Sequence, residues 1–167
     1  MSVFWKIIKW VLLFSAALIA QTSIVPRIAI FGIYPDLPMI LLVIFAVENG
    51  KMAGIWGGFL LGLLIDVYSV GILGVNALAK TIIGCTGGLL ERKNVSISPV
   101  LLLIFLFIAC IANDLIIFIP NIYGAGESFV DLSKYLLVSS LPRAIYTAFI
   151  AAIILVILDN LPSQFRR

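Results

Sequence analysis

The sequence contains no histidine, two cysteines and few charged residues, and each shortage excludes a class of chemistry. Charged residues make up 11% of the 167 residues, whereas hydrophobic residues make up 63%. Without histidine, neither an imidazole base beside a nucleophile nor a histidine metal site can be assembled. Cys85 and Cys110 lie within apolar runs, so we predict packing roles rather than a disulfide or redox role. We therefore expect no catalytic residue, no metal site, no cofactor and no enzyme activity.

The hydrophobic excess predicts a membrane protein. Mean hydropathy is +1.22, and the charged fraction is well below the roughly 25% typical of soluble domains. The net charge of +3 does not indicate a nucleic-acid partner, because the basic residues are scattered singly along the chain. Several membrane spans of about 20 residues would use most of the chain. We therefore predict a single transmembrane helical domain over residues 1–167, with the lipid bilayer as its surroundings.

Six apolar runs predict an all-α polytopic bundle of about six transmembrane helices. They are Val3 to about Ile24, Pro35 to Glu48, Met52 to about Tyr68, about Gly74 to Leu90, Pro99 to about Ile119, and about Leu132 to about Leu158. Proline is tolerated in the first turn of a helix, so Pro35 and Pro38 suit the start of the second run. That run is either a short helix or is extended by the preceding segment, Ile28 to Ile33. Leu18 does not suit signal-peptide cleavage after Ala20, so we expect the first run to be retained.

The distribution of Lys and Arg predicts the topology. Six spans put seven basic residues on one side of the membrane, namely Lys6, Lys9, Lys51, Arg92, Lys93, Arg166 and Arg167. The other side receives Arg27 and Lys134. By the positive-inside rule, both termini are expected in the cytoplasm. The longest connection, Asn121 to Asp131, is then external.

Small residues recur at four-residue spacing and line single helix faces. The sets are Ala16 and Ala20; Gly54, Gly58 and Gly62; Gly84 and Gly88; and Ala144, Ala148 and Ala152. Because lipid provides no hydrophobic force between helices, close approach across small faces supplies much of the packing. The faces therefore serve either packing within the bundle or docking of another membrane protein. For docking, the alanines of the first and last helices are the expected outward faces.

Four charged residues lie inside the predicted spans, where a charge costs several kcal/mol. Asp66 and Lys80 lie at similar depth in adjacent antiparallel helices, which predicts an ion pair. Asp114 and Arg143 form a second acid and base at similar depth, and Asn76 lies one turn from Lys80. These groups either neutralise one another and fix helix order, or line a polar cavity open to the outer side. A proton relay is a weaker interpretation, because histidine is absent and each acid has a cationic partner.

Three motifs in the central segment resemble the family of rod-shape-determining protein MreD. They are Pro35-Asp36-Leu37, the glycine-rich stretch Gly54 to Asp66, and Leu73 to Lys80 with its Gly-x-Asn. The resemblance covers about Pro35 to Glu91 and adds Asp36 to the predicted polar cluster or partner site, which comprises Asp36, Asp66, Asn76, Lys80, Asp114 and Arg143. The last two spans match the family only in hydrophobicity, so the resemblance supports no role for Asp114 or Arg143.

The resemblance implies a non-enzymatic subunit of the bacterial elongasome in the cytoplasmic (inner) membrane. Such a subunit binds MreC, a single-span scaffold, and through it connects with MreB, the glycosyltransferase RodA and a class B penicillin-binding protein. Its function would be to assemble and regulate peptidoglycan synthesis and so maintain rod shape.

The family is also similar to the substrate-binding subunits of energy-coupling-factor transporters, six-helix bundles with an outward-facing vitamin pocket. Ala16 and Ala20 match the Ala-x-x-x-Ala face of their first helix. The alternative function is therefore vitamin binding, near Asp66, Asn76, Lys80 and Asp114. The longest predicted external loop offers few aromatic residues to cap a vitamin, only Tyr123 and Phe129, which favours the MreC-binding interpretation.

Overall fold

A computed structural model describes residues 3–69, 72–90, 98–124 and 129–160. The regular secondary structure of these residues is helical, and turns, irregular segments and one isolated bridge connect the helices. The α-helices are α1 (Val3–Ser23), α2 (Leu37–Asn49), α3 (Lys51–Tyr68), α4 (Val75–Leu89), α5 (Pro99–Gly124), α6 (Phe129–Tyr135) and α7 (Leu141–Asn160). A π-helical turn, Leu136–Ser140, joins α6 to α7 into one continuous helical segment. Together with α1 to α5, this segment gives six long helical segments among the described residues, which confirms the all-α prediction.

Four of these helical segments are long and apolar enough to cross a membrane, as expected for a polytopic membrane protein. Their qualifying stretches are Phe4–Ser23, Lys51–Tyr68, Pro99–Pro120 and Asp131–Ile157. The other two, α2 and α4, have 13 and 15 residues, whereas a full crossing takes about 20. The prediction of about six transmembrane helices is thus confirmed for four by length and composition.

The segment before α2 does not extend that helix. Val25–Ile28 forms a 3-10 helix, and Ile30 and Ile33 then exchange two backbone hydrogen bonds of 2.9 Å. Phe31 and Gly32 at the tip have φ values of 51° and 79°, the left-handed region that a tight two-residue hairpin requires. The second predicted span is therefore the short form of the two alternatives, and it begins after Asp36.

The glycine faces pack α3 against α4. A Cβ added at Gly58 would overlap the carbonyl of Lys80, and one at Gly54 would overlap the carbonyl of Gly84. The same backbone-to-backbone contact holds at the other predicted positions, Gly62 and Gly88. Interhelical contact this close requires residues without side chains. The packing interpretation is confirmed for Gly54, Gly58, Gly62, Gly84 and Gly88.

The alanine faces differ from one another in burial. Ala144 is fully buried within the core, so the prediction that it faces outward is wrong. The reason is that α7 packs along α5, whose Leu106 and Cys110 belong to the same core. Ala148 and Ala20 are half-buried, and Ala16 is exposed.

Helix ends near the predicted external connection also differ from expectation. Residues 121–124 continue α5 beyond Pro120, and α6 begins at Phe129, so most of the predicted Asn121 to Asp131 loop is helical.

The π-helical turn ends where Pro142, which has no amide to donate, follows Leu141. The Leu141 amide donates to the carbonyl of Leu136, five residues earlier, which is the hydrogen bond that defines a π-helical turn.

Four of the predicted cytoplasmic charges lie outside the described residues, namely Arg92, Lys93, Arg166 and Arg167.

Candidate functional site

Five side chains from four parts of the chain form a closed polar ring, hereafter the polar ring, consisting of Asp36, Lys80, Asn113, Asp114 and Arg143. Lys80 Nζ donates to Asn113 Oδ1 at 3.2 Å, and Asn113 Nδ2 donates to Asp114 Oδ1 at 3.3 Å. Arg143 Nη1 donates to Asp114 Oδ1 and Nη2 to Asp36 Oδ2, each at 3.2 Å. Lys80 Nζ lies 3.9 Å from Asp36 Oδ2, which closes the ring as an ion pair.

The polar ring is buried and electrically balanced. Lys80 is 2% exposed, and the side chain of Asp114 is also 2% exposed, whereas that of Arg143 is 27% exposed. Two carboxylates face two cations, so the formal charges cancel. In a low-dielectric interior such balance is what makes burial of all four charges tolerable.

Asp36 reaches the polar ring because it caps α2. Its Oδ1 accepts the Met39 amide at 2.9 Å, as expected of an N-cap carboxylate. Its own amide donates to Thr147 Oγ1 at 3.1 Å, and that hydroxyl donates to the Arg143 carbonyl at 2.7 Å. These bonds attach the start of α2 to α7 and leave Asp36 Oδ2 facing the two cations.

Gln21 of α1 clamps the peptide on both sides of Asp36. Its Nε2 donates to the Pro35 carbonyl, and its Oε1 accepts the Leu37 amide, each at 3.0 Å. The clamp fixes the end of α1 against the start of α2.

The π-helical turn supplies one more donor to the polar ring. Ser140, the last residue of that turn, donates from Oγ to Asp114 Oδ2 at 2.7 Å. Asp114 therefore accepts from Ser140, Asn113 and Arg143. π-helical turns widen a helix locally and frequently occur at functional sites.

Asp66 does not pair with Lys80, so that prediction is wrong. Its Oδ2 accepts the amides of Gly74 and Ala77, each at 3.0 Å, and its Oδ1 accepts both the amide and the side-chain Nδ2 of Asn76. The carboxylate thus caps the start of α4, where amides lack helical partners. Lys80 lies beyond that first turn, and its counterion is Asp36.

The prediction that Asp114 and Arg143 lie together is confirmed by their 3.2 Å contact. The predicted cluster therefore divides into two parts. Asp36, Lys80, Asp114 and Arg143 belong to the polar ring. Asp66 and Asn76 instead bond to each other at the start of α4, which the Asp66 carboxylate caps. Asn113 adjoins Asp114 in the sequence, whereas no pattern in the sequence pointed to Gln21, Ser140 or Thr147.

A cavity of about 570 Å³ adjoins the polar ring, between α1 and α3. Asp36, Asn76, Lys80, Asn113 and Arg143 contribute to its lining. The Tyr34 ring also lines it and lies 5.8 Å from Arg143 Cζ, within cation–π range. The site can therefore offer hydrogen-bond donors to a ligand. Among the described residues no group of three or more potential metal ligands is found.

A model of a known protein family matches this chain. The family model described as rod shape-determining protein MreD matches residues 3–162, nearly the whole chain. No curated protein and no solved structure matches it. The match extends the sequence resemblance through α5, α6 and α7, which the motifs alone did not cover. The chain therefore belongs to the MreD family, whose members are membrane proteins that determine cell shape.

Proposed function

We propose that this protein is a non-enzymatic subunit of the bacterial elongasome that binds MreC. Through MreC it would connect with MreB, RodA and a class B penicillin-binding protein, and so help to assemble and regulate peptidoglycan synthesis. The observation that carries the proposal is the family match over residues 3–162. The remaining support comes from the polar ring and from the surface of α1.

The polar ring supports a structural role rather than a catalytic one. Each of its carboxylates accepts from neighbouring side chains of the bundle, and each cation faces a carboxylate. An acid or base held in this way is not poised to exchange protons with a substrate. The same contacts join the start of α2 with α4, α5 and α7, which suits a rigid subunit that presents a fixed surface to a partner.

The exposed face of α1 is the proposed docking surface for MreC. None of its membrane-spanning residues is buried within the chain. Ala16 is exposed, whereas the glycine faces of α3 and α4 are already packed against each other. A small exposed residue on a transmembrane helix permits close approach of a second helix. The single span attributed to MreC fits this face.

We further propose an inner-membrane location with six crossings and both termini in the cytoplasm. Helices α2 and α4 would be the two short crossings, about 20 and 23 Å long at 1.5 Å per residue. Lys6, Lys9 and Lys51 lie at the ends of α1 and α3 opposite to the polar ring. The positive-inside rule puts that end in the cytoplasm.

The test is to tag the chain at its native expression level, extract it in mild detergent, and identify the proteins that co-purify by mass spectrometry. Recovery of MreC together with RodA or its penicillin-binding partner is the expected result. Their absence under conditions that keep the chain folded would contradict the proposal.

A vitamin-binding transporter subunit is the second candidate, favoured by the cavity beside Lys80 and Arg143. It predicts recovery of a transporter ATPase pair in the same experiment and retention of a vitamin by the purified chain. The gap between α1 and α3, where the cavity lies, argues against it, because a vitamin site would need to be closed on that side.

A further inference from the structure

Two cavities adjoin each other along the gap between α1 and α3. The cavity beside the polar ring has a volume of about 570 Å³, and a second one of about 470 Å³ lies towards Lys6. Ser15 of α1 and Leu64 of α3 line both of them. Together they form one elongated groove, hereafter the α1–α3 groove, which follows the length of the two helices.

The two ends of the α1–α3 groove differ in chemistry. The end beside the polar ring carries charged and amide side chains, including Lys80, Asn113 and Arg143. The other end is lined mainly by apolar and aromatic side chains, among them Trp10 and Trp56. An occupant must therefore be polar at one end and apolar along the rest of its length.

Lys80 defines what the polar end can bind. Its ammonium group has three donors, and Asn113 Oδ1 accepts one at 3.2 Å. Asp36 Oδ2, at 3.9 Å, is beyond hydrogen-bonding distance. Within the described part of the chain, two donors of this buried ammonium thus lack an acceptor, and Lys80 is one of the residues that line the cavity.

The charge balance of the polar ring limits the kind of acceptor. Because Asp36 and Asp114 already balance Lys80 and Arg143, no positive charge is in excess to select an anion. Ester carbonyl oxygens, in contrast, are neutral acceptors and need no unpaired cation. The glycerol region of a membrane lipid carries such oxygens directly above its acyl chains.

The width of the apolar end distinguishes an acyl chain from a helix. The Phe45 ring lies between α1 and α3, with its centroid 4.8 Å from Trp10 and 5.4 Å from Phe14. On its other side it packs so closely on Gly57 that an added Cβ would overlap it. These aromatic side chains therefore already occupy part of the space between α1 and α3, which suits a slender acyl chain better than a helix about 10–12 Å across.

We infer that the α1–α3 groove binds one glycerolipid of the surrounding bilayer. Its glycerol-region oxygens accept from Lys80, and one acyl chain runs past Ser15 and Leu64 towards Trp10. The inference does not rest on MreC binding.

The test uses the purified full chain in detergent, supplied with palmitoyl-oleoyl phosphatidylglycerol or phosphatidylethanolamine, and native mass spectrometry of the retained lipid. Ser15→Trp fills the junction of the two cavities. Ala16→Trp is the matched control, because Ala16 lines neither cavity and points about 100° away around the helix. We expect Ser15→Trp to lower retention about tenfold and Ala16→Trp to leave it unchanged. Both headgroups should be retained to a similar extent.

Leu64→Trp blocks the same junction from α3 and replaces Ser15→Trp if that variant does not fold. Equal lipid retention in the blocked variants and the control would overturn the inference. So would stronger loss in Ala16→Trp, which would place the lipid on the outer face of α1. Since MreC is proposed to contact that outer face, loss of lipid in Ser15→Trp with MreC still bound separates the two proposals.

Discussion

Arg143 hydrogen-bonds to Asp36 at 3.2 Å although 107 residues separate them in the chain. The same guanidinium bonds to Asp114 with its other nitrogen. One side chain of α7 thereby links the start of α2 with the second half of α5, and Lys80 of α4 completes the connection. The polar ring therefore connects α4, α5 and α7 with the start of α2.

Replacing Arg143 with Met should destabilise the protein strongly. The change leaves Asp36 and Asp114 with less compensation in a buried site, and breaking a buried pair in this way costs about 3–5 kcal/mol. Thermal unfolding in detergent measures the effect. Arg143→Lys should be intermediate, since it keeps the charge but cannot hold both carboxylates with a planar fork. Equal stability of Arg143→Met and the wild type would show that the ring does not hold the helices together.

Asp36 and Lys80 should be energetically coupled, whereas Asp66 and Lys80 should not. In a double-mutant cycle with Asp36→Asn and Lys80→Met, we expect a coupling above about 0.5 kcal/mol. The cycle of Asp66→Asn and Lys80→Met should be additive within about that value, because the two groups share no partner among the residues that the structure describes. The reverse ranking, measured by thermal or denaturant unfolding, would restore the Asp66–Lys80 pair.

Gly58→Ala should disrupt the α3–α4 interface, whereas Gly87→Ala should be tolerated. The added methyl group at Gly58 meets the backbone of Lys80, which cannot move without separating the helices. At Gly87 the nearest atoms are side-chain carbons of Ala46 and Phe105 at 3.4 Å, an ordinary contact. Alanine also favours the helix by up to about 1 kcal/mol over glycine. Thermal stability in detergent should therefore fall only for Gly58→Ala, and equal behaviour of the two variants would argue against close backbone packing.

Gln21→Leu should loosen the end of α1 from α2. The Leu37 amide then loses its acceptor, and hydrogen exchange at that amide should become faster. Thr22→Val is the control, because within the described ranges the Thr22 hydroxyl bonds to carbonyls of α1 itself, those of Leu18 and Ile19. Unchanged exchange at Leu37 in the Gln21 variant would show that apolar packing alone holds α1.

Hydrophobic patterning was sufficient to predict the helices, because a helix that crosses a membrane must be apolar and must satisfy its own backbone hydrogen bonds. The four-residue spacing of glycine likewise predicted the α3–α4 contact. Patterning failed at the ends of elements. Nothing in residues 121–131 showed that α5 continues through Pro120, since proline usually ends a helix.

The polar ring was only partly predictable, for a geometric reason. Asp114 and Arg143 could be paired from their depths in adjacent spans. The counterion of Lys80 could not be predicted in this way. Asp36 lies in a connection between helices, and it faces Lys80 only because it caps the start of α2. Asp66 was assigned to Lys80 by depth alone. In the structure its carboxylate instead accepts hydrogen bonds from the backbone amides at the start of α4, which have no partner within the helix.

The most direct test of the proposed function is the binding of purified MreC to the purified chain in lipid nanodiscs, without other elongasome proteins. We expect saturable binding that Ala16→Trp weakens and Ser15→Trp leaves intact, because Ser15 lines the α1–α3 groove whereas Ala16 lies outside it, on the proposed MreC-binding side of α1. Absence of saturable binding, or equal binding by both variants and the wild type, would contradict it.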